Sequence, residues 1–247
     1  LWEEKGIALI EDCAHAHGTR YKGKRMGNWG DAGTFSFQAS KVLTAGEGGA
    51  IICNDDNLAD LIYSIGDCGR KKGEYFYDHF RYGTNYRMTE YQGAVLRVQL
   101  KKFPKQHAQR NKNAKYFMEK LNEIDGIRVM KPTPGTEELG WYVYPMVFEP
   151  EKFGGLSKKE FYDSLNSNDI PTDDCYPPLH ALDCFKNVDL RKRIDYSSAN
   201  WGHAKSDDSN FLVVSDIFPR SIEFPQEMLL APREKLDMVV KAIKRLK

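Results

Sequence analysis

No CxxC pair and no cysteine–histidine cluster with metal-ligand spacing occurs in this sequence, so no zinc site is indicated. Its five cysteines, Cys13, Cys53, Cys68, Cys175 and Cys184, are odd in number and scattered. They give no sign of a disulfide framework and fit reduced thiols in a cytoplasmic protein. A surplus of either charge is also lacking: 36 Lys and Arg stand against 35 Asp and Glu, leaving no net field to draw nucleic acid or an anionic membrane. No apolar run approaches the length of a membrane span. The densest basic patch, Lys101, Lys102, Lys105 and Arg110, reads as the solvated face of a helix. The chain opens on Leu1-Trp2-Glu3-Glu4-Lys5-Gly6, which reads as a helix end and a turn rather than a signal peptide. It is expected to begin partway through a domain.

What is present is an alternation of short apolar runs and helical periodicity. At 247 residues the chain is long enough for one or two domains with a sizeable core. Residues 7–11 form an apolar run expected to be a strand buried on both faces, with further strands at 32–37 and 50–53. Asn54-Asp55-Asp56 is a cap for a helix over about 58–65. Strands separated by turns and helices imply an α/β sheet. Residues 74–86 are aromatic and polar without period, which reads as a long binding or interface loop. Thr89-Glu90-Tyr91-Gln92 has capping-box form and opens a helix that Pro104 is expected to interrupt, with a second helical stretch over about 106–124. Beyond Gly126, strands are expected at 127–129, 141–148 and 210–214, and amphipathic helices at 158–165 and 233–246. The expected division is a larger domain over 1–109 and a smaller α+β domain over 110–247.

Lys41 is the most informative residue. It sits in Ser36-Phe37-Gln38-Ala39-Ser40-Lys41-Val42-Leu43-Thr44-Ala45-Gly46-Glu47-Gly48-Gly49, between an apolar strand and a glycine-rich turn. Upstream, Ile7-Ala8-Leu9-Ile10-Glu11-Asp12 ends on two carboxylates. A lysine and a carboxylate, each at the end of a buried strand, suit pyridoxal phosphate chemistry, the amine capturing the aldehyde and the acid facing the pyridine nitrogen.

Three segments in order carry a closer likeness: Glu11-Asp12-Cys13-Ala14-His15-Ala16-His17-Gly18, then Gly30-Asp31-Ala32-Gly33-Thr34-Phe35-Ser36-Phe37 leading into Lys41 and Gly46-Glu47-Gly48-Gly49, then Gly83-Thr84-Asn85-Tyr86-Arg87-Met88. Together they resemble the DegT/DnrJ/StrS family of pyridoxal-phosphate-dependent aminotransferases, which act on keto-sugars and related cyclic ketones in aminosugar and antibiotic biosynthesis. Pro177-Pro178-Leu179-His180 fits that family's small domain. The resemblance implies the fold type I PLP-transferase architecture, a partial large domain with a mostly parallel sheet and a smaller α+β domain.

It also implies roles. Lys41 falls on the Schiff-base lysine, Asp12 on the acid of the pyridine nitrogen, Ser36 on a phosphate-binding hydroxyl, and Asn85 on a residue that reaches the phosphate of a partner subunit. His15 occupies a position close to the cofactor ring, either hydrogen-bonding its 3′-oxygen or packing on it. Arg87 is a candidate for the phosphate or the amino donor's carboxylate, or for an interface ion pair. Glu11 and His17 read as structural. The implied activity is ping-pong transamination from glutamate or glutamine to a nucleotide-linked keto-sugar or scyllo-inosose, by a homodimer with shared sites. Phe37–Thr44 and Phe224-Pro225-Gln226-Glu227-Met228-Leu229-Leu230 look most like the scyllo-inosose and aminohydroxybenzoate branch.

The sequence departs from the family in one respect. Relatives carry a stretch before the Asp12 strand that supplies a glycine–threonine phosphate cup and a stacking aromatic; only eleven residues precede Asp12 here. The chain is therefore expected to be a fragment, or to rely on a second polypeptide, with weakened cofactor binding. Two other readings stand beside the enzyme: a dehydratase, which carries histidine in place of Lys41, and a truncated non-catalytic relative serving as a binding or regulatory partner.

Overall fold

The computed structural model describes residues 4–183 and 211–247, and these divide into two compact units. Cys184 and Asn210 lie outside the described residues.

The first unit comprises Leu1–Lys115 together with Lys131–Tyr142. Segment 131–142, expected in the C-terminal part, packs here because its short strand joins a small sheet of the first unit. That sheet holds the hairpin β2 (Arg20–Tyr21) and β3 (Lys24–Arg25), with β7 (Thr136–Glu138) added antiparallel to β2. The main sheet has the order β1 (Ile10–Asp12), β4 (Ala32–Ser36), β5 (Gly49–Cys53), with β1–β4 parallel and β4–β5 antiparallel. Helix α1 (Asp56–Gly66) is capped by Asp55, whose side chain accepts the Leu58 N–H, as the polar turn predicts.

The first strand departs from expectation. Among the described residues β1 pairs with β4 alone, so it is an edge strand, and Ile7 and Ile10 are 60% and 68% exposed. Only Glu11 of the three strand residues is buried. The apolar run marked a strand correctly, but burial on both faces needs neighbours that β1 lacks here.

Helix α2 (Glu90–Leu121) runs unbroken through Pro104. Its start has the predicted capping box, Gln92 N–H reaching Thr89 Oγ1 at 3.3 Å and Thr89 N–H reaching Gln92 Oε1 at 2.9 Å. Proline removes one intrahelical donor and crowds the carbonyl four residues back. The helix absorbs this over its 32 residues, and the Phe103 and His107 rings stack at 5.3 Å across the proline turn. Arg110 is the second correction: Lys101, Lys102 and Lys105 are exposed, but Arg110 is buried. It falls at helical spacing on the stripe that contains His107, Ala114, Phe117 and Leu121, so geometry overrides charge.

The second unit comprises Tyr116–Met130 and Val143–Lys247. Its antiparallel sheet has the order β6 (Ile127–Val129), β8 (Val143–Phe148), β10 (Ser221–Pro225), β9 (Asp173–Asp174). Helices α3 (Lys158–Asn166) and α5 (Arg233–Arg245) present Phe161 and Leu165, and Leu236, Val239, Val240 and Ile243, to the core. Ser157 and Glu160 close a complete capping box on α3. The core is aromatic, with Phe148 and Phe161 stacked at 4.3 Å and Phe153 edge-on at 5.2 Å from Phe161. Residues 211–214 are not a strand: α4 (Leu212–Ile217) is a short helix with Leu212 and Val213 exposed. The sheet position is taken by β10, which pairs with both β8 and β9, leaving the preceding β-branched residues no ladder to join.

Candidate active site

The site grows from the parallel pairing of β1 with β4, in which Glu11 lies opposite Gly33 and Asp12 opposite Thr34. Neighbouring side chains alternate between sheet faces, so the two adjacent carboxylates part company. Glu11 points to the buried face, where its oxygens accept the N–H groups of Gly27 (2.7 Å), Trp29 (2.6 Å) and Gly30 (2.8 Å). That face is tight: a Cβ at Gly33 would lie 2.4 Å from the Gly27 Cα, so only glycine lets the two backbones meet. Glu11 is thus the structural residue the sequence suggests. Asp12 shares the opposite face with Thr34 and Ser36, is exposed, and uses one oxygen to accept the Ala14 N–H at 3.0 Å.

Lys41 is carried by a loop closed at its neck. Phe37 N–H donates to the Gly48 carbonyl at 2.8 Å, and the Phe37 carbonyl accepts Ala45 N–H at 2.9 Å and the Thr44 hydroxyl at 3.0 Å. Gly48 has φ +143°, a conformation side chains disfavour, which explains the glycine-rich turn. Val42 and Leu43 are buried directly after the lysine and plug the loop into the unit. Lys41 itself is half-buried.

The amine meets an imidazole and an aromatic ring. Lys41 Nζ lies 2.7 Å from His15 Nε2 and 4.2 Å from the centroid of Tyr142. The His15 and Tyr142 rings stack at 3.9 Å, and the Tyr142 hydroxyl is 2.8 Å from Ser40 Oγ. Burial, then the Lys41 charge, push His15 below the ordinary histidine range, against the pull of Asp12. A neutral His15 accepts at Nε2 from the Lys41 ammonium, which places its own proton on Nδ1. Lys41 and His15 meet directly, Asp12 lies near enough for its charge to act on His15, and Ser36 ends the strand paired with the one that carries Asp12. Ser36 Oγ accepts Gln38 N–H at 3.3 Å.

Asn85 and Arg87 form a second cluster. Asn85 Oδ1 accepts from Arg87 Nε at 2.9 Å, and that nitrogen lies 3.4 Å from Asp67 Oδ1, which also pairs with Arg70 at 3.3 Å. Among the described residues neither side chain makes a hydrogen bond or ion pair with Lys41, Asp12, His15 or Ser36.

Tyr142 and Ser40 escaped the sequence reading. The signal for Tyr142 was slight, an aromatic beside Gly140-Trp141 in a stretch read as strand. Cys13 is no competing nucleophile: burial, with Glu11 and Asp12 nearby, pushes its thiol up to about 11. His17 is structural but not satisfied. It is 3% exposed between Phe35 and Phe37, and among the described residues neither ring nitrogen makes a full hydrogen bond, although the Ser36 backbone lies close enough to act on it.

His17 gives a pH prediction. Burial lowers it from 6.5 to about 4, opposed by the Ser36 backbone and helped by Lys41 and His15. Between those values the unfolded chain binds the proton and the folded chain does not, so stability is whole above pH 6.5 and falls as pH drops towards 4. The loss attributable to His17 should be about 3 kcal/mol. Urea unfolding of the native chain and His17→Leu at pH 7 and pH 4.5 measures it; equal losses in both proteins would refute the assignment.

Among the described residues no group of three or more His, Cys, Asp or Glu side chains is placed to hold a metal ion, and no helix is long and apolar enough to cross a membrane.

Comparison with known proteins places this geometry. The DegT/DnrJ/EryC1/StrS aminotransferase family matches residues 1–206. The L-glutamine:2-deoxy-scyllo-inosose aminotransferase of Streptoalloteichus tenebrarius is 37% identical over 72% of this chain and 44% of its own length. The L-glutamine:scyllo-inosose aminotransferase of Streptomyces griseus is 31% identical over 97% of this chain and 58% of its own. The crystal structure of 3-amino-5-hydroxybenzoic acid synthase superposes with a TM-score of 0.79 at 25% identity, covering 99% of this chain and 62% of that one. The chain thus has the α/β fold of these aminotransferases, and the matches span 44% to 62% of their lengths.

Proposed function

This chain belongs to the DegT/DnrJ/EryC1/StrS aminotransferase family, and on that premise we propose that it is a pyridoxal-phosphate-dependent aminotransferase of cyclic ketones, with glutamine or glutamate as amino donor. One observation carries the reading: Lys41 Nζ is held by His15 and the face of Tyr142, and among the described residues it makes no ion pair with a carboxylate. An amine tied up in a carboxylate pair is a poor nucleophile; one beside a neutral imidazole has no ion pair to break before it reacts.

The donor set fits the cofactor. A primary amine, a carboxylate with one oxygen unengaged by the backbone, and a hydroxyl lie on or beside one face of the β1–β4 pair. When bound, pyridoxal phosphate supplies the aldehyde that captures an amino group and the electron-poor ring that takes up charge freed at the substrate's α-carbon. Asp12 would hold the pyridine nitrogen protonated. Ser36 would donate its hydroxyl to the phosphate. Lys41 would serve twice, first as the anchoring amine and then as the acid–base group that moves a proton at Nζ. His15 would orient that amine through Nε2.

The scyllo-inosose and 2-deoxy-scyllo-inosose acted on by the named relatives support a cyclic polyol ketone as acceptor and glutamine as donor. Nucleotide-linked keto-sugars are the second substrate class. Asn85 stands in a cluster of its own with Arg87 on an exposed loop, and we assign it to the phosphate of a second copy, which makes the working unit a homodimer. Arg87 would bind the phosphate or the donor's carboxylate there.

The test is to incubate the chain with pyridoxal phosphate, reduce with borohydride and map the adduct by peptide mass. The expected site is Lys41, with ¹⁵N passing from L-glutamine to scyllo-inosose in the unreduced protein. An adduct spread over surface lysines, with none at Lys41, overturns the reading and leaves the non-catalytic partner role.

A further inference from the structure

Tyr142 is delivered to Lys41 by a backbone with little freedom. Trp141, immediately before it, is buried with φ +42°, a left-handed conformation that a bulky residue adopts only when its surroundings impose it. Those surroundings are visible. Asn111 accepts the Leu139 N–H at 2.9 Å and the Trp141 indole N–H at 3.1 Å, and donates to the Leu139 carbonyl at 3.1 Å. Gly140 N–H donates to Thr19 Oγ1 at 2.9 Å, and a Cβ on Gly140 would stand 2.6 Å from the His15 carbonyl oxygen. The segment is therefore pinned against the His15 backbone on one side and α2 on the other. The ring this produces is shared by two site residues, and its hydroxyl touches a third position, Ser40, next to the lysine.

We propose that Tyr142 is a positioning residue for the Lys41 amine, its ring holding His15 and Lys41 in register and its hydroxyl fixing the lysine loop through Ser40. This rests on the reading of Lys41 as the reactive amine. The ring offers its face to the Lys41 nitrogen and shields one side of it, while the stack holds the exposed His15 ring with Nε2 turned to Nζ. Two contacts come from the ring and one from the hydroxyl, so two substitutions separate them. Tyr142→Phe keeps both ring contacts and loses the Ser40 bond; Tyr142→Leu keeps bulk and loses the ring.

Both variants are compared with the native chain without cofactor. Trinitrobenzenesulfonate labelling of Lys41, followed by peptide mass, should be about fivefold faster in Tyr142→Leu, the factor a cation–π contact of ordinary strength confers. The titration of His15, followed by the NMR signal of its ring C–H, should move up towards the ordinary histidine value in the same variant. A role confined to packing would leave that titration in place. Tyr142→Phe should label within about twofold of native. Native-rate labelling of Lys41 in a folded Tyr142→Leu overturns the inference. Tyr142 is half-buried, and Tyr142→Gln serves the same purpose if the leucine variant melts early. Capture of pyridoxal phosphate by the native chain is scored separately, so failure of the functional reading is distinguishable from failure of this one.

Discussion

Lys41→Ala is expected to lower amino transfer by about 10²–10⁴-fold or more, the range in which a positioned proton-transfer group contributes, and to abolish the borohydride-trapped adduct at position 41. In the proposed mechanism two roles fall on one nitrogen, and the imidazole beside it cannot substitute. His15 is 2.7 Å away but is held neutral and carries no primary amine. Lys41→Arg separates charge from nucleophilicity: it keeps a cation over Tyr142 and should restore the His15 titration without restoring transfer. The loop itself should survive either change, because Val42, Leu43 and the Phe37 neck hold it. Transfer from glutamine within tenfold of native in Lys41→Ala, measured under saturating pyridoxal phosphate, would remove Lys41 from the mechanism.

Glu11→Ala carries the largest expected cost to the fold, about 4 kcal/mol. Its carboxylate accepts three backbone N–H groups from the turn 27–30, and truncation strands all three near Gly33. Stranded donors cost about 1–3 kcal/mol each when buried, and part of that returns as water enters the vacated space. For a chain of this length such a loss lowers the melting midpoint by roughly 8–16 °C. Glu11→Gln should fall between, since one oxygen remains for Trp29 and Gly30 while the new amide N–H faces that of Gly27. Calorimetry of the three proteins at pH 7 is the measurement. A drop below about 1 kcal/mol for Glu11→Ala would mean that the turn repacks without its anchor.

Much of the site was legible because its signals are local. A strand ending in Glu11-Asp12, a glycine turn that needs positive φ, and a lysine between them are properties of short windows, and the family likeness rests on the same windows. Asp55 and Thr89 announced their helices by caps that act within three residues, and α5 by a periodicity that its buried face obeys. Glu11 was readable as structural since alternation along a strand sends neighbours to opposite faces. Charge was the poorer guide: Arg110 looked like part of a solvated patch until the helical stripe carried it inside.

By itself, then, the sequence determined the family and the type of most elements and singled out Lys41 and Asp12 as candidates, since each depends on residues within a few positions of one another. Only the tertiary structure decided what those residues touch. Ser40 and Tyr142 meet across 102 positions, Glu138 reaches Arg25 across 113, and Gly140 reaches Thr19 across 121. Segment 131–142 returns to the first unit because β7 extends the β2–β3 hairpin, and that return supplies the platform on which Lys41 rests. Sheet pairing at such separations is set by the closing of long loops and the packing of whole faces, quantities no short window contains.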